Sequence, residues 1–404
     1  MMAGTLLKKS LEIRDAAATA LEMRGQATTV RGTERHSGAP MTVRHVGLSD
    51  YFERMMRRIL RDGYTVVSRR AFWNALAFAE LRREPGPDLQ LVHLPEAYCR
   101  LLPARALEMP CWSLQIVDLR GSWEDVTGRF RAKMRTTDLP KVRRQIRKHQ
   151  LSYRVTRGER ELREFYDEMY VPYARHRFGA LADVDTYAAM QKDVRSDGGL
   201  LQIVCQQRVV AGSDFRRAGD TMEVDRFGAL ADLGRPLEDA VRSATYLFAL
   251  EHAHRAGFRK LSLGATHPFL ADGQFRFKRK WGAAVHATWM DSAFLWQPLT
   301  FGTPVRAFLS AHPMLVRTPR GLEGRILVNE RVDARRFERL VHDLHSPGIS
   351  RLHFFGDYPN PSPDDAPPRS VIWTNLSTEP DPLGCFVRDA RSPGPVRRHK
   401  PIDP

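Results

Sequence analysis

The sequence predicts a mixed α/β protein of the α+β kind, with a mixed central sheet flanked by helices. Three observations predict it. Apolar residues make up 42% of the 404 and charged residues 27%, near the globular average, which excludes collagen-like, coiled-coil and wholly disordered classes. Strand-like alternation and helix-like spacing take turns along the chain. Between Leu200 and Phe227, three short strand patterns follow one another across Gln207–Arg208 and Ala218–Gly219–Asp220, as in an antiparallel meander. The longest apolar runs, such as Val241 to Leu250, fall short of the ~20 residues of a spanning helix. An integral membrane protein is therefore not expected.

Taken in order, residues 1–40 are small, polar and charged, with Gly25, Gly32 and Gly38 breaking periodicity, and read as a flexible leader; Met1 and Met41 both stand as candidate starts. Tyr51 to Leu60 and Phe72 to Leu81 predict helices, Leu89 to Leu94 and Trp112 to Asp118 strands, and Trp123 to Met134 a helix. Asp138 followed by Pro140 predicts a helix start, running to Lys148. These pieces make a first unit over 41–150. Leu151, Tyr153 and Val155 alternate as a strand. Leu162, Phe165, Tyr166, Met169, Tyr170 and Tyr173 form a helical stripe. After the meander, Pro236 opens a long helix that Gly257 ends. Lys260 to Leu263 is a strand, Leu270 to Trp281 helical and Ala283 to Trp289 a strand, which completes a second unit over 151–300. Residues 301–355 read as a C-terminal extension. The last stretch, 356–404, holds 11 of the 26 prolines and few apolar residues besides Val371, Ile372, Trp373 and Leu376, and reads as a disordered tail.

Charge and cysteine usage narrow the partners. The net charge is +16, and the segment Arg131 to Gln150 holds eight bases against one acid, Asp138. Only Leu139, Val142 and Ile146 form an apolar seam there, so most of that helix faces water. Cys99, Cys111, Cys205 and Cys385 are far apart, with no metal-ligand spacing, so no metal site or disulfide framework is expected. With no apolar stretch after Lys8 and Lys9 to act as a secretion signal, the compartment expected is the cytoplasm.

The order meander, helix, strand, short helix, strand resembles the C-terminal half of the GNAT-like acyltransferase fold, as used in tandem by Fem-type peptidyltransferases and their relatives in polysaccharide and lipid biosynthesis, the cellulose-biosynthesis-type acetyltransferases among them. The residues that carry the resemblance are Phe277–Lys278–Arg279–Lys280–Trp281–Gly282, preceded by Leu261–Ser262–Leu263–Gly264 and Pro268–Phe269–Leu270–Ala271–Asp272–Gly273. It covers about residues 85–295 and implies a catalytic second unit and a first unit that is either complete or degenerate. It implies an acyltransferase moving an acetyl or aminoacyl group from acyl-CoA (acetyl-CoA) or aminoacyl-tRNA to an amine or hydroxyl of a cell-envelope, polysaccharide or lipid precursor, without a metal. In relatives the lysine matching Lys278 lies by the transferred group, where a cation can hold a carboxylate or an oxyanion. Phe277 would be its apolar wall. Gly228, Gly234 and Arg235, at the entry to the long helix, are the donor-binding candidates, since a helix start can face a phosphate. The Gln/Arg-x-x-Gly-x-Gly/Ala signature of acyl-CoA-binding members is missing.

The residues add further candidates. Glu223 and Asp225, two apart on one strand, share a face; Asp225 could take the proton of the attacking amine, with Glu223 raising its pKa by like charge. Arg175, His176 and Arg177, at a helix end, and Arg144, in the basic helix, are candidates for an anionic substrate. His252 and His254 face different ways on a helix and do not make a metal pair. The expected partners are an anionic small molecule or envelope precursor, with tRNA and the inner face of an anionic membrane also open and no stable protein partner. The rival class is a basic nucleic-acid or anionic-polymer binding protein without catalysis, for which the charge argues and the missing helix-turn-helix, zinc-finger and aromatic RNA-binding patterns argue against.

Overall fold

The computed structural model describes residues 24–47, 51–73, 86–95, 106–131, 138–179, 182, 184–287, 292–357 and 370–388. The chain begins with β1 (Arg24–Thr33), β2 (Pro40–Gly47), α1 (Phe52–Ile59), β3 (Thr65–Trp73), β4 (Leu89–Pro95), β5 (Leu107–Pro110) and β6 (Ser113–Asp118). Helices α2 (Trp123–Arg131) and α3 (Asp138–Lys148) lead into β7 (Leu151–Thr156). Next come α4 (Glu159–Glu164), a π-helix (Phe165–Tyr170), α5 (Val171–Phe178) and α6 (Tyr187–Arg195). The meander is β8 (Gly199–Cys205), β9 (Arg208–Ala218) and β10 (Thr221–Ala229), followed by α7 (Gly234–Arg255), β11 (Lys260–Thr266), α8 (Gly273–Arg279), β12 (Ala284–Ala287) and β13 (Ser292–Pro298). The last elements are α9 (Thr303–Ala311), β14 (Met314–Thr318), β15 (Gly321–Val328), α10 (Ala334–Leu344), β16 (Ile349–Gly356), β17 (Val371–Asn375) and α11 (Pro382–Arg388). Strand 65–73 takes the start of the helix expected over 72–81; residues 74–81 lie outside the described residues.

Two compact units form, and they are not the two consecutive stretches expected. One comprises residues 1–113, 267–275 and 287–404, the other 114–266 and 276–286. The boundary expected at 150/151 fails because β6 enters the second unit's sheet, ordered β12-β6-β11-β10-β9-β8-β7, while β13 enters the first unit's sheet, ordered β3-β1-β2-β4-β13-β5. Strand periodicity shows that a segment forms a strand and says nothing of which sheet it joins.

In the second unit, β7 to β10 run antiparallel and β10 pairs with β11 in parallel, as the meander and crossover helix require. The 22-residue α7 buries Val241, Ala244, Leu247 and Phe248 in a core with Met222, Leu261 and Trp281. Val241, Leu247 and Phe248 each contribute about 1.5–3 kcal/mol of burial. The π-helix packs Phe165, Met169 and Tyr170 with α6's Met190 and Val194 and with Leu200 of β8. It approaches β10 so closely that a Cβ on Gly228 would lie 2.5 Å from the Tyr170 nitrogen and 2.6 Å from its Cα. Backbone cannot yield as a side-chain tip does. Gly228→Ala is expected to cost about 3 kcal/mol or more, the upper range of overpacking, read as a fall in Tm; an unchanged Tm would mean that the strand and the π-helix do not hold each other in place.

The first unit corrects both expectations for the termini. Residues 24–33 of the expected leader form β1, which pairs with β2 and β3 and buries Ala27 and Val30. Its Gly25 and Gly32 are accommodated inside the strand. The expected disordered tail supplies β17, parallel to β16, and α11. Trp373 stacks on Phe354, and Leu376, Phe386 and Val387 are buried, so apolar residues of this segment are anchors; residues 358–369 and 389–404 of the expected tail and 1–23 of the expected leader lie outside the described residues. The extension over 301–355 carries β14, β15 and β16 of the four-stranded sheet β14-β15-β16-β17.

Histidines of this unit are held neutral, His353 among them, which burial keeps well below its ordinary value. Burial lowers His45 to about 3, and His267, stacked on Trp112 at 4.4 Å, and His312, stacked on Phe308 at 4.7 Å, each to about 4. Against the ordinary value of 6.5, the unfolded chain binds more protons. Their contribution is fully present above pH 6.5 and is lost as pH falls toward 4. Below pH 6.5, stability is expected to fall by about 1.4 kcal/mol per pH unit for fully buried His45, and by less for His267 and His312. Denaturant titrations across that window test this, and His45→Gln should flatten the slope; an unchanged slope contradicts the assignment.

Candidate functional site

The second unit's sheet opens where β10 and β11 part. Their pairing covers Thr221 with Lys260, Met222 with Leu261 and Glu223 with Ser262, and goes no further. On the other side of β10, the register with β9 shifts between Val224 and Phe227, so Asp225 and Arg226 form a bulge. Gly264 turns at φ +78, and a Cβ there would meet the Val224 carbonyl oxygen at 3.2 Å and the Lys278 Nζ at 3.4 Å. The Lys278 ammonium thus sits at the opening. It donates to the Ala265 carbonyl at 3.0 Å, and the residue is only 8% exposed. Its neighbours in the block, Arg276 and Lys280, are exposed. Lys278 is therefore not part of that wet face, a distinction that helical spacing over seven residues cannot make.

Aromatic rings stand around the same helix. Phe277 meets Tyr246 of α7 edge-on at 5.0 Å, Tyr246 stacks on Trp281 at 6.1 Å, and Tyr173 of α5 meets Phe227 of β10 edge-on at 5.1 Å. Burial pushes Tyr246 up to about 12, with a smaller contribution from neighbouring Tyr173, so its hydroxyl keeps its proton. Arg177 donates to the Tyr173 hydroxyl at 2.8 Å. Of the three bases expected to meet an anionic substrate, Arg177 is tied to this aromatic group, while Arg175 and His176 lie exposed on the last turn of α5.

The carboxylates form a separate cluster. Arg226, 6% exposed, donates through Nη1 to Asp214 at 2.5 Å, through Nε to Asp185 at 2.7 Å and through Nη1 and Nη2 to Asp193 at 3.0 Å. Its backbone N–H also donates to Asp214, at 2.9 Å, which fastens the bulge to β9. The π-helix supports the network: Tyr166 donates to the Asp185 carbonyl at 2.9 Å, and Tyr170 accepts from the Asp185 N–H at 3.1 Å. Burial raises Asp214 to about 6 in spite of Arg226. Asp225, exposed at the bulge and 3.7 Å from Arg226, is raised by desolvation, opposed by Arg226 and assisted by Asp185 and Asp193. Glu223 is bound to Arg216 at 2.7 Å. The like-charge partners of Asp225 are thus Asp185 and Asp193, not Glu223 as expected, because an arginine opposite Glu223 on β9 neutralises it. Sequence reading missed Arg226, Asp185 and Asp193 because they are brought together from three elements.

The expected donor cradle is differently used. Gly228 accommodates the Tyr170 backbone, and Gly234, at φ +63, and Arg235 lie exposed on the first turn of α7. The Leu230 N–H is bound to the Val210 carbonyl, Pro236 has no N–H, and Asp232 is paired with Arg208 at 3.2 Å. A cavity of about 450 Å³ does bring Pro236 together with Phe277, Lys280 and α3. Among the described residues, its walls include neither Lys278 nor Asp225, and Arg144 lies exposed on α3. No group of three or more His, Cys, Asp or Glu among the described residues is placed to hold a metal ion, and no described helix is long and apolar enough to cross a membrane.

Antiparallel β7–β10, the bulge, the parted β10/β11 pair and the crossover helix give the second unit the order of elements that the resemblance implies. No protein-family profile matches the sequence, and no curated protein does. Solved structures similar to this chain include the C-terminal domain of a putative lysylphosphatidylglycerol synthetase from Agrobacterium fabrum, at 11% identity and TM-score 0.35, covering 70% of this chain and 83% of that one. FemX is similar at 12% identity and TM-score 0.35, over 67% of this chain and 84% of that one. The PaiA N-acetyltransferase from Thermoplasma acidophilum, solved in complex with coenzyme A, is similar at 10% identity and TM-score 0.27, over 36% of this chain and 99% of that one. Likenesses this distant lend nothing to the choice of substrate.

Proposed function

We propose that the chain is an acyltransferase that moves an acyl or aminoacyl group from an activated donor to an amine or hydroxyl of an anionic envelope, polysaccharide or lipid precursor. The observation that carries the reading is the Lys278 ammonium, buried at the parting of β10 and β11. A cation is costly to bury and is effective in a poorly screened site. There it would stabilise the oxyanion that develops when the acceptor attacks the acyl carbon. Asp225, the next residue after the Val224 carbonyl at this opening and with its pKa raised, would take the acceptor's proton. Glu223 would hold Arg216.

Both donors remain in the proposal. The test is turnover of acyl-CoAs and aminoacyl-tRNAs with amine-bearing envelope precursors. Thiol release identifies coenzyme A; loss of activity after ribonuclease treatment identifies tRNA. No donor consumed by the wild type, or a pH–rate profile unchanged in Asp225→Asn, would count against the assignments. A cytoplasmic enzyme resting on the membrane's inner face through exposed Lys141, Arg144, Arg147 and Lys148 should sediment with anionic vesicles at low salt and not at high salt.

A further inference from the structure

We propose that the cavity walled by α3, the start of α7 and α8 binds a phosphate group carried on a small apolar or ring-bearing body. It is a concave space of about 450 Å³, of the size that takes small ligands. Lys141 and Lys148 line it from α3, Arg242 from α7 and Lys280 from the turn after α8, with Asp239 as the one carboxylate of its wall among the described residues. Glu238 at 2.8 Å and Asp239 at 3.3 Å engage Arg242. Lys141 and Lys148 have no carboxylate partner among the described residues.

The helix dipole favours Lys148, in the last turn of α3, but does not explain Lys141. Lys141 lies in the first turn of α3, where the helix dipole disfavours a cation. A wet helix would also need no cavity beside it. Phe277 and Trp281 add apolar surface to the same lining, and Ser243 a hydroxyl. Phosphate oxygens against the lysines and a ring or acyl stem against Trp281 would satisfy both halves. An extended polynucleotide backbone would instead call for a line of cations on an open surface. The ligand would be a donor or acceptor of the acyl transfer only on the reading proposed above; the binding itself does not depend on it.

The experiment is titration of Lys278→Met protein, which is expected to turn over about 10²- to 10³-fold more slowly, with inorganic pyrophosphate at low ionic strength, followed by calorimetry and thermal shift. Saturable binding with a rise in Tm is expected, weakened about tenfold in Lys141→Glu and in Lys148→Gln. Unliganded Lys141→Glu should melt no lower than the parent, because a carboxylate near a helix start is favoured. Coenzyme A and short-chain phosphatidylglycerol are then competed against pyrophosphate. Displacement by either supports the site and identifies the source of its phosphate. No saturable pyrophosphate binding, equal affinity in both lysine variants, or displacement by tRNA and by neither small ligand would overturn it. Pyrophosphate bound normally by a protein inactive with every donor would separate failure of the acyltransferase reading from failure of this one.

Discussion

Lys278→Met is expected to lower turnover about 10²- to 10³-fold, the size of effect seen when one preorganised oxyanion partner is removed. Methionine keeps the length and most of the volume of the stem and deletes the charge. At 8% exposure the site would keep its packing, while the Ala265 carbonyl loses its donor at 3.0 Å. That loss costs about 1–3 kcal/mol, offset in part because a buried ammonium no longer has to be desolvated. Tm is therefore expected to move by a few degrees while kcat collapses. Lys278→Arg is not expected to rescue: the planar guanidinium is broader than an ammonium, and the residue is only 8% exposed. Arginine activity near wild type, or a methionine variant with unchanged kcat, would remove Lys278 from the chemistry and leave it a structural cation.

Much of the second unit was legible because its determinants are local. The turn at Gln206–Gln207, one residue before the expected pair, and Gly219 set the meander, and Pro236 and Gly257 bracket α7 to within two residues. Lys278 stood out through its block, but its burial follows from β10 and β11 parting, which depends on Gly264 and on a bulge written nowhere in strand periodicity. What periodicity cannot carry is partnership. The entry of β6 into one sheet and β13 into the other, and the convergence of Asp185, Asp193 and Asp214 on Arg226, join residues far apart in the chain. Composition misled at both ends for a related reason: β1 tolerates its glycines through pairing, and a few residues such as Trp373 and Phe386 suffice to anchor a proline-rich segment.

That convergence sets the largest stability effect expected in the second unit. Arg226→Met removes the cation that Asp185, Asp193 and Asp214 share, leaves Asp193 with Arg216 at 3.9 Å, and leaves Asp214, 1% exposed, as a buried charge without that partner. Breaking a buried pair from one side costs about 3–5 kcal/mol. The pH dependence separates this from loss of packing. Burial already holds Asp214 near 6 against an ordinary 3.8, and without Arg226 it moves higher still. A carboxyl raised on folding binds its proton more tightly in the folded state, so its penalty is absent below 3.8 and grows as pH rises through the folded value. The variant should therefore regain stability as pH falls from 8 toward 5, opposite in sign to the histidines of the first unit, and hydrogen exchange at β9 and β10 would read it without interference from them. Asp214→Asn combined with Arg226→Met should recover part of the loss and remove the pH dependence. Because the Arg226 N–H to Asp214 bond also fastens the bulge beside Asp225, the double variant should fold yet turn over poorly. A single variant as stable as the wild type at pH 8, or equally destabilised at pH 5 and 8, would mean that Arg226 does not neutralise Asp214.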